Sequence, residues 1–253
     1  MINFIKNILP KQFKQFLWFV FKSPQRLWPE LGYSTLLTDF RGWLSTRRTP
    51  HQLNKITICI GIKNRSVNLI DFVIQSANNC EHKELIAFSI YDCGSNDIEN
   101  LEKSIRELWQ GDLIFNKEDI AFARSIAFNR AVNAAKDGLI LVCDADMSLP
   151  KDIVFKVNKY VSTDSAWFPH VWYTNEDGSG RYYTESTGMM ACYKSDYIKT
   201  GGMDETIKEW GKEDWLLFFS FYKIGKSCIR SNEPNFIHHY HKSLRPENFQ
   251  PLF

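Results

Sequence analysis

Two carboxylates, Asp144 and Asp146, flank a single alanine directly after the apolar run Leu139-Ile140-Leu141-Val142-Cys143. Hard divalent cations take oxygen ligands, so an Asp-x-Asp at the end of a buried strand suits a metal held against a phosphate. The same triplet also occurs in turns, where both acids are solvated or cap a following helix, here one opened by Pro150. Three of the chain's six histidines, His238, His239 and His241, fall within four positions. On a strand His239 and His241 share a face, and a neutral imidazole from either would add a ligand to the carboxylates; an exposed polar edge is the plainer account. Between these groups, Gly201-Gly202-Met203-Asp204-Glu205 precedes Trp210-Gly211-Lys212-Glu213-Asp214-Trp215. Adjacent acids that open an apolar helix can satisfy its N-terminal amides. Beside Trp210 they have a second use, because an indole stacks on a sugar ring and a neighbouring carboxylate accepts a hydroxyl proton.

These residues need a scaffold, and the pattern from residue 51 onward supplies one. Lys55–Ile62 alternates as a strand ending near Gly61, and Val67–Cys80 has helical spacing. Leu85–Tyr91 reads as a second strand, and Asn96 with Glu99 forms a capping box for a helix running to Trp109. Ala121–Lys136 is the next helix, Gly138–Cys143 a short buried strand, and Pro150 opens a further helix. Such alternation predicts right-handed crossovers and a mostly parallel sheet covered on both faces, with ligands bound beyond the carboxyl ends of its strands. After Ser165 the rhythm weakens. Ala166–Tyr173 and Arg181–Thr184 pair as a hairpin around Asp177-Gly178-Ser179-Gly180, followed by a strand at Met189–Tyr193, a loop to Lys212, a helix at Glu213–Lys223 and a strand near Phe236.

Length and composition suit one large folded domain or two small ones: 44% of the 253 residues are apolar and 24% charged, ordinary for a globular protein and against disorder or fibrous architectures. The net charge of +2 divides unevenly. Residues 1–50 hold +6 and no acid before Glu30, whereas the remainder holds −4. Phe13, Phe16, Leu17, Val20 and Phe21 recur at helical spacing, with Lys11, Lys14 and Lys22 mostly off that stripe. An amphipathic helix with this composition suits adsorption to an anionic membrane surface; packing on the body or on a second subunit is the alternative. The apolar run is too short to span a bilayer or serve as a secretory signal, so a cytoplasmic location is expected, peripheral at the inner face of the cell membrane. Six cysteines without Cys-x-x-Cys pairs read as buried free thiols of a reducing compartment. No nucleic-acid partner is expected.

Taken in order, the motifs resemble the metal-dependent glycosyltransferases of the GT-A fold, most like the β1,4-galactosyltransferases and the bacterial chondroitin polymerase domains. Asn64-Arg65, in Ile60-Gly61-Ile62-Lys63-Asn64-Arg65, is similar to the family's first-strand ending, with Gly61 and Lys63 in place of Pro and Arg. Tyr91-Asp92-Cys93-Gly94-Ser95-Asn96-Asp97 resembles the turn whose first Asp contacts the uracil base. Phe122-Ala123-Arg124 with Asn129 is similar to the segment beside the nucleotide sugar, Asp144-Ala145-Asp146 to the family's Asp-x-Asp, and Gly201 to Asp214 to the acceptor loop. Lys212 replaces a Gly and Trp215 a further acid.

The resemblance, over roughly residues 54–242, implies an α/β fold of the GT-A (Rossmann-like) kind, with residues 1–50 as a basic aromatic extension and 51–253 as the catalytic domain. It implies Asp214 as catalytic base; Arg65, Asp92, Arg124, Asp144 and Trp210 at the donor; Glu213 and Trp210 at the acceptor; and Asp146 with His241 or His239 on a Mn²⁺ (or Mg²⁺) ion. The expected activity is inverting transfer of a hexose or N-acetylhexosamine of the Gal or GalNAc type. Its donor is a UDP-sugar, its acceptor a saccharide or lipid-linked glycan in bacterial surface polysaccharide or lipopolysaccharide synthesis. A homodimer is allowed. The rival readings are a sugar-nucleotide nucleotidyltransferase, for which Gly61–Arg65 is a poor phosphate loop, and a non-catalytic saccharide-binding assembly subunit.

Overall fold

The first strand, β1 (Ile56–Ile62), is buried along its whole length and has a parallel strand paired on each side. Its alternation sorts its side chains: Ile56, Ile58, Ile60 and Ile62 enter one core layer, and Cys59 enters the other. Each fully buried isoleucine contributes about 2 kcal/mol, which makes this strand's register hard to shift. A computed structural model describes residues 43–44, 46–47, 49–184, 186–207 and 212–241. The expected amphipathic stripe at 13–21 therefore lies outside the described residues, as does Trp210. No helix among the described residues is long and apolar enough to cross a membrane.

After β1 a helical stretch, α1, runs as Ser66–Asn68, a π-helical Leu69–Ile74 and Gln75–Asn78. Then come β2 (Ile86–Asp92), α2 (Leu101–Leu108), β3 (Leu113–Lys117), α3 (Arg124–Ala134) and β4 (Leu139–Val142). A two-residue strand β5 (Met147–Ser148) leads to α4 (Ile153–Tyr160), β6 (Ser165–Trp167), β7 (His170–Thr174), β8 (Gly180–Tyr182) and β9 (Met190–Tyr193). The described chain ends through α5 (Lys194–Thr200), α6 (Glu213–Lys223), β10 (Ser227–Ile229) and β11 (Asn232–His238). The main sheet has the order β10-β6-β9-β4-β1-β2-β3, and the second sheet β5-β11-β7-β8. In the main sheet only β9 runs against its neighbours, so the expected mostly parallel, doubly covered sheet is present.

Several local expectations are corrected. The cap of α2 is Asn100, whose side chain accepts from the Lys103 N–H at 3.2 Å, not Asn96 with Glu99. Asn96 is occupied elsewhere, since its N–H donates to Asn64 Oδ1 at 3.0 Å. Pro150 forms a turn that accepts from the Ile153 N–H, and the helix itself begins at Ile153. The segment expected as one long hairpin arm splits into β6 and β7, which join different sheets; only β7 and β8 make the hairpin. The supposed loop after Tyr193 contains α5, a short helix ended by Gly201 at φ +88°. The strand β10 lacked a local signal of its own.

One glycine sets the spacing on which the site depends. A Cβ on Gly61 would lie 2.5 Å from Ala127 Cβ. The bare backbone therefore lets α3 approach the carboxyl end of β1, bringing Arg124, at the start of α3, to the ligand-binding edge.

Candidate active site

The carboxylates of the Asp-x-Asp diverge. β4 delivers Asp144 and Asp146 past its end, and the next residues enter β5, which pairs antiparallel with β11 (His238 opposite Met147). The Asp146 carbonyl also accepts the His239 N–H at 2.9 Å, so the acid is fixed beside the histidine cluster. Asp144 points instead to α3.

Around Asp146 the structure groups three ligand-type side chains. Atoms of Asp146, His238 and His241 lie within 4.8 Å of one another. His241 Nε2 is 2.9 Å from Asp146 Oδ2, and His238 Nε2 is 3.6 Å from Asp146 Oδ1. Burial pushes the His238 imidazole below its ordinary range, the neutral form that ligates metals. Burial opposes ionisation of Asp146, yet the His241 hydrogen bond and the adjoining imidazoles hold its carboxyl below the usual range. Asp146 Oδ1 and His238 Nδ1 are buried without a hydrogen-bond partner, an expensive arrangement that a cation's coordination would relieve. One carboxylate and two imidazoles suit a divalent transition-metal ion, and manganese is compatible with the carboxylate of the set.

His239 is differently placed. Its Nε2 is 2.7 Å from Ser148 Oγ, and its ring stacks on Phe72 at 3.7 Å. The shared-face argument for His239 and His241 does not hold, because β11 ends at His238 and the backbone leaves extended geometry there. His238, which stacks on Tyr173 at 4.1 Å, takes the inward position. The pairing of β11 with β5 and β7 creates that position, and spacing within the histidine run carries no sign of it.

A second group of acids surrounds Arg124. Its Nε and Nη2 each donate to Asp144 Oδ1 at 3.2 Å, its Nη2 also to the Gly188 carbonyl at 3.0 Å, and its Nη1 to Glu213 Oε1 at 3.3 Å. Arg124 was expected to hydrogen-bond a donor; here these bonds go to protein. Glu213 is buried and opens α6, where its Oε2 accepts the Lys212 N–H. Asp214 Oδ1 accepts the Trp215 N–H at 2.9 Å. Burial raises the Asp214 carboxyl above its ordinary range against the pull of Arg124. Burial likewise pushes Asp144 up to about 6, again with Arg124 opposing. Gly188 packs tightly here, since a Cβ on it would lie 3.0 Å from Arg124 Nη2 and 3.7 Å from Asp214 Oδ2.

The remaining motif residues border the same edge. Arg65 Nη2 is 3.2 Å from His241 Nδ1. Asp92 is wholly buried, and its Oδ1 accepts the N–H groups of Gly94 and Ser95 at 3.1 and 2.7 Å. Its Oδ2 has no hydrogen-bond partner and lies 3.6 Å from Lys117 Nζ. Lys63, which stands where the family pattern has Arg, donates to the Cys93 and Ile120 carbonyls at 2.9 and 2.7 Å and so braces the loop ahead of α3. Asn129 holds the acceptor-loop segment: its Nδ2 donates to Met203 O and Glu205 Oε1, and its Oδ1 accepts from the Tyr197 hydroxyl and the Met203 N–H.

A parallel sheet that ends in an Asp-x-Asp, with a histidine strand returning beside it, defines the GT-A class of glycosyltransferase folds. The chain belongs to the chondroitin N-acetylgalactosaminyltransferase family, whose model matches residues 38–250. It is 26% identical over 194 residues to the N-acetyl-beta-glucosaminyl-glycoprotein 4-beta-N-acetylgalactosaminyltransferase 1 of Mus musculus, covering 72% of this chain and 19% of that relative. The chain thus spans about a fifth of that protein's length. Among solved structures, residues 1–349 of S. aureus TarS in complex with UDP-GlcNAc superpose with a TM-score of 0.62 at 11% identity, over 75% of this chain and 59% of that fragment. GalNAc-T7 with UDP, GalNAc and Mn²⁺ gives 0.59 at 15% identity, over 79% of this chain and 46% of its own. At these identities the likeness is one of fold.

Proposed function

We propose that the protein is an inverting, metal-dependent glycosyltransferase that moves a Gal- or GalNAc-type sugar from a UDP donor to a saccharide acceptor. The observation that carries this reading is the juxtaposition of two sites on one sheet edge: an Asp146/His238/His241 group suited to a cation, and the buried Glu213 beside the half-buried Asp214, suited to an acceptor hydroxyl. Family membership and the N-acetylgalactosaminyl relative support the choice of sugar.

Held by Asp146, His238 and His241, a divalent ion would neutralise charge on the departing nucleoside diphosphate. The chain's own residues do the rest. The Asp214 carboxylate accepts the proton of the acceptor hydroxyl, a task for which its raised proton affinity is an advantage. Arg124 aligns Asp144 with Glu213 and leaves both as acceptors toward sugar hydroxyls. Asp92 Oδ2, which is buried without a hydrogen bond and ion-paired with Lys117 at 3.6 Å, would accept an N–H of the base. Asp214 on one side and the cation group on the other favour a single displacement, which inverts the anomeric centre.

The acceptor in this reading is a lipid-linked or polysaccharide precursor at a bacterial inner membrane, approached by the basic aromatic residues 1–28. Isothermal titration of UDP with and without Mn²⁺, followed by UDP release from each common UDP-sugar, tests the assignment. Metal-dependent UDP affinity and turnover that disappears in Asp214→Asn are expected. Equal UDP affinity with and without the metal, or undiminished turnover in Asp214→Asn, refutes it.

A further inference from the structure

The strip of chain that passes beside Asp214 is clamped by two guanidiniums. Arg230 Nη2 donates to the Thr184 and Ser186 carbonyls at 2.9 and 2.6 Å, and Arg124 Nη2 donates to the Gly188 carbonyl at 3.0 Å. Thr187 lies between the two clamps, so its backbone has little freedom to move. Its side chain is buried, with the residue 2% exposed, and its Oγ1 has no completed hydrogen bond among the described residues. A buried hydroxyl is costly to folding unless it gains a partner, and a valine of nearly the same shape would avoid that cost. Packing alone therefore gives no reason for a hydroxyl here.

What the hydroxyl faces is the half-buried Asp214 carboxyl. Asp214 Oδ1 accepts the Trp215 N–H at 2.9 Å, and Oδ2 is turned toward the clamped strip, 3.7 Å from where a Cβ on Gly188 would stand. The charged groups around this carboxyl are Arg124 from α3, its own neighbour Glu213 on α6 and, across Arg124, Asp144 after β4. Burial raises the carboxyl above its ordinary range and Glu213 adds to the rise, while Arg124, the Trp215 N–H and the Thr187 hydroxyl draw it back. A threonine hydroxyl hydrogen rotates to suit its acceptor, so a small turn of the ionised carboxylate completes the bond.

We propose that Thr187 is a positioning residue that donates its hydroxyl to the Asp214 carboxylate and fixes it for the incoming acceptor hydroxyl, an inference that rests on the reading of Asp214 as the base. Two donors, the Trp215 N–H and the Thr187 O–H, then set the plane of the carboxylate and leave its remaining lone pairs to the acceptor's O–H.

The test is a titration of the full chain. The Asp214 carboxyl carbon, identified in ¹³C spectra by its absence from Asp214→Asn, should titrate about one pH unit higher in Thr187→Val than in the wild type, because a hydrogen bond to the ionised form is lost. Thr187→Ser keeps the hydroxyl and should titrate as the wild type does. The acid limb of transfer should move with the carboxyl, leaving Thr187→Val roughly fivefold slower at the pH of the wild-type midpoint while the KM for the UDP-sugar stays unchanged. An Asp214 carboxyl that titrates at the wild-type pH in Thr187→Val overturns the proposal, and so does a Thr187→Ser that titrates with Thr187→Val. Undiminished turnover in Asp214→Asn overturns the base reading, and the role of Thr187 falls with it. That outcome is distinct from an inactive Asp214→Asn beside an unmoved titration, which removes Thr187 alone.

Discussion

Replacing Arg124 by Met tests the electrostatic reading of the site most directly, because one guanidinium bridges Asp144 and Glu213 and opposes the raised proton affinity of Asp214. The side chain of Arg124 is 12% exposed and that of Glu213 only 3%, so this pair lies in the buried regime, where removing one partner costs about 3–5 kcal/mol. For a domain of this size, roughly 2–4 °C per kcal/mol converts the loss to a fall in Tm of about 6–20 °C. The deficit should also depend on pH. Burial already raises the carboxyls of Asp144 and Asp214, and removing Arg124 raises them further. A carboxyl whose folded pKa is raised adds stability that is complete below its unfolded pKa and is lost as pH rises through the folded one. The variant should therefore lose most at pH 8 and least near pH 5. Urea denaturation of wild type and variant at pH 5, 6.5 and 8 measures this, with Arg124→Met/Glu213→Gln expected to recover about 1–3 kcal/mol as the coupling between neighbours. A pH-independent deficit under about 1 kcal/mol would show that the guanidinium is solvent-screened, and the clamp would have to be abandoned.

Three further outcomes are expected. His238→Ala should weaken Mn²⁺ binding by calorimetry by more than the roughly 10- to 100-fold that loss of a group behind a ligand costs, whereas His239→Ala should leave it intact and cost roughly 1 kcal/mol of stability through the lost Ser148 contact; the reverse ranking would return the ligand role to His239. The acid limb of the transfer rate should lie above the ordinary carboxylate range, because Asp214 must be ionised to accept a proton and burial raises it; a rate flat down to pH 4 removes Asp214 as base. Deleting residues 1–28 should release the protein from anionic vesicles in a sedimentation assay, and persistent binding would assign the membrane contact to another surface.

Much of the scaffold was legible because its signals are local. Alternation in Ile56–Ile62 and the acids opening Glu213–Lys223 match the observed elements closely, and a buried run ahead of Asp144 identified a sheet edge. The misses arise where a distant partner decides. Asn96 and Asn100 are equally good helix caps by type, and the contact from Asn96 to Asn64, 32 positions away, leaves the role to Asn100. Only Tyr197 is buried in α5, so its apolar pattern is too sparse to read. The split of 166–173 between two sheets depends on β6 and β7 finding β10 and β11, some sixty residues later.

The histidine cluster shows the same limit at the site itself. A period of two predicts that residues 239 and 241 face one way, but the period holds only while the chain is extended, and it is extended only while it has a partner. β5 supplies that partner for two residues, Met147 and Ser148, placing His238 opposite Met147 and Ile237 opposite Ser148. The ladder closes with the His239 N–H on Asp146 O, and beyond it the chain turns so that His241 comes back onto Asp146. The short Asp-x-Asp strand thus sets the end of the histidine strand, so the carboxylate that would hold the ion also selects which imidazoles join it. Lengthening that pairing would keep His239 and His241 together on the face opposite His238 and so carry His241 away from Asp146. A substitution that stiffens residues 239–240 in extended form, such as Tyr240→Val, should accordingly reduce Mn²⁺ affinity by calorimetry while leaving the fold's stability near that of the wild type; unchanged affinity would refute this account of the strand end.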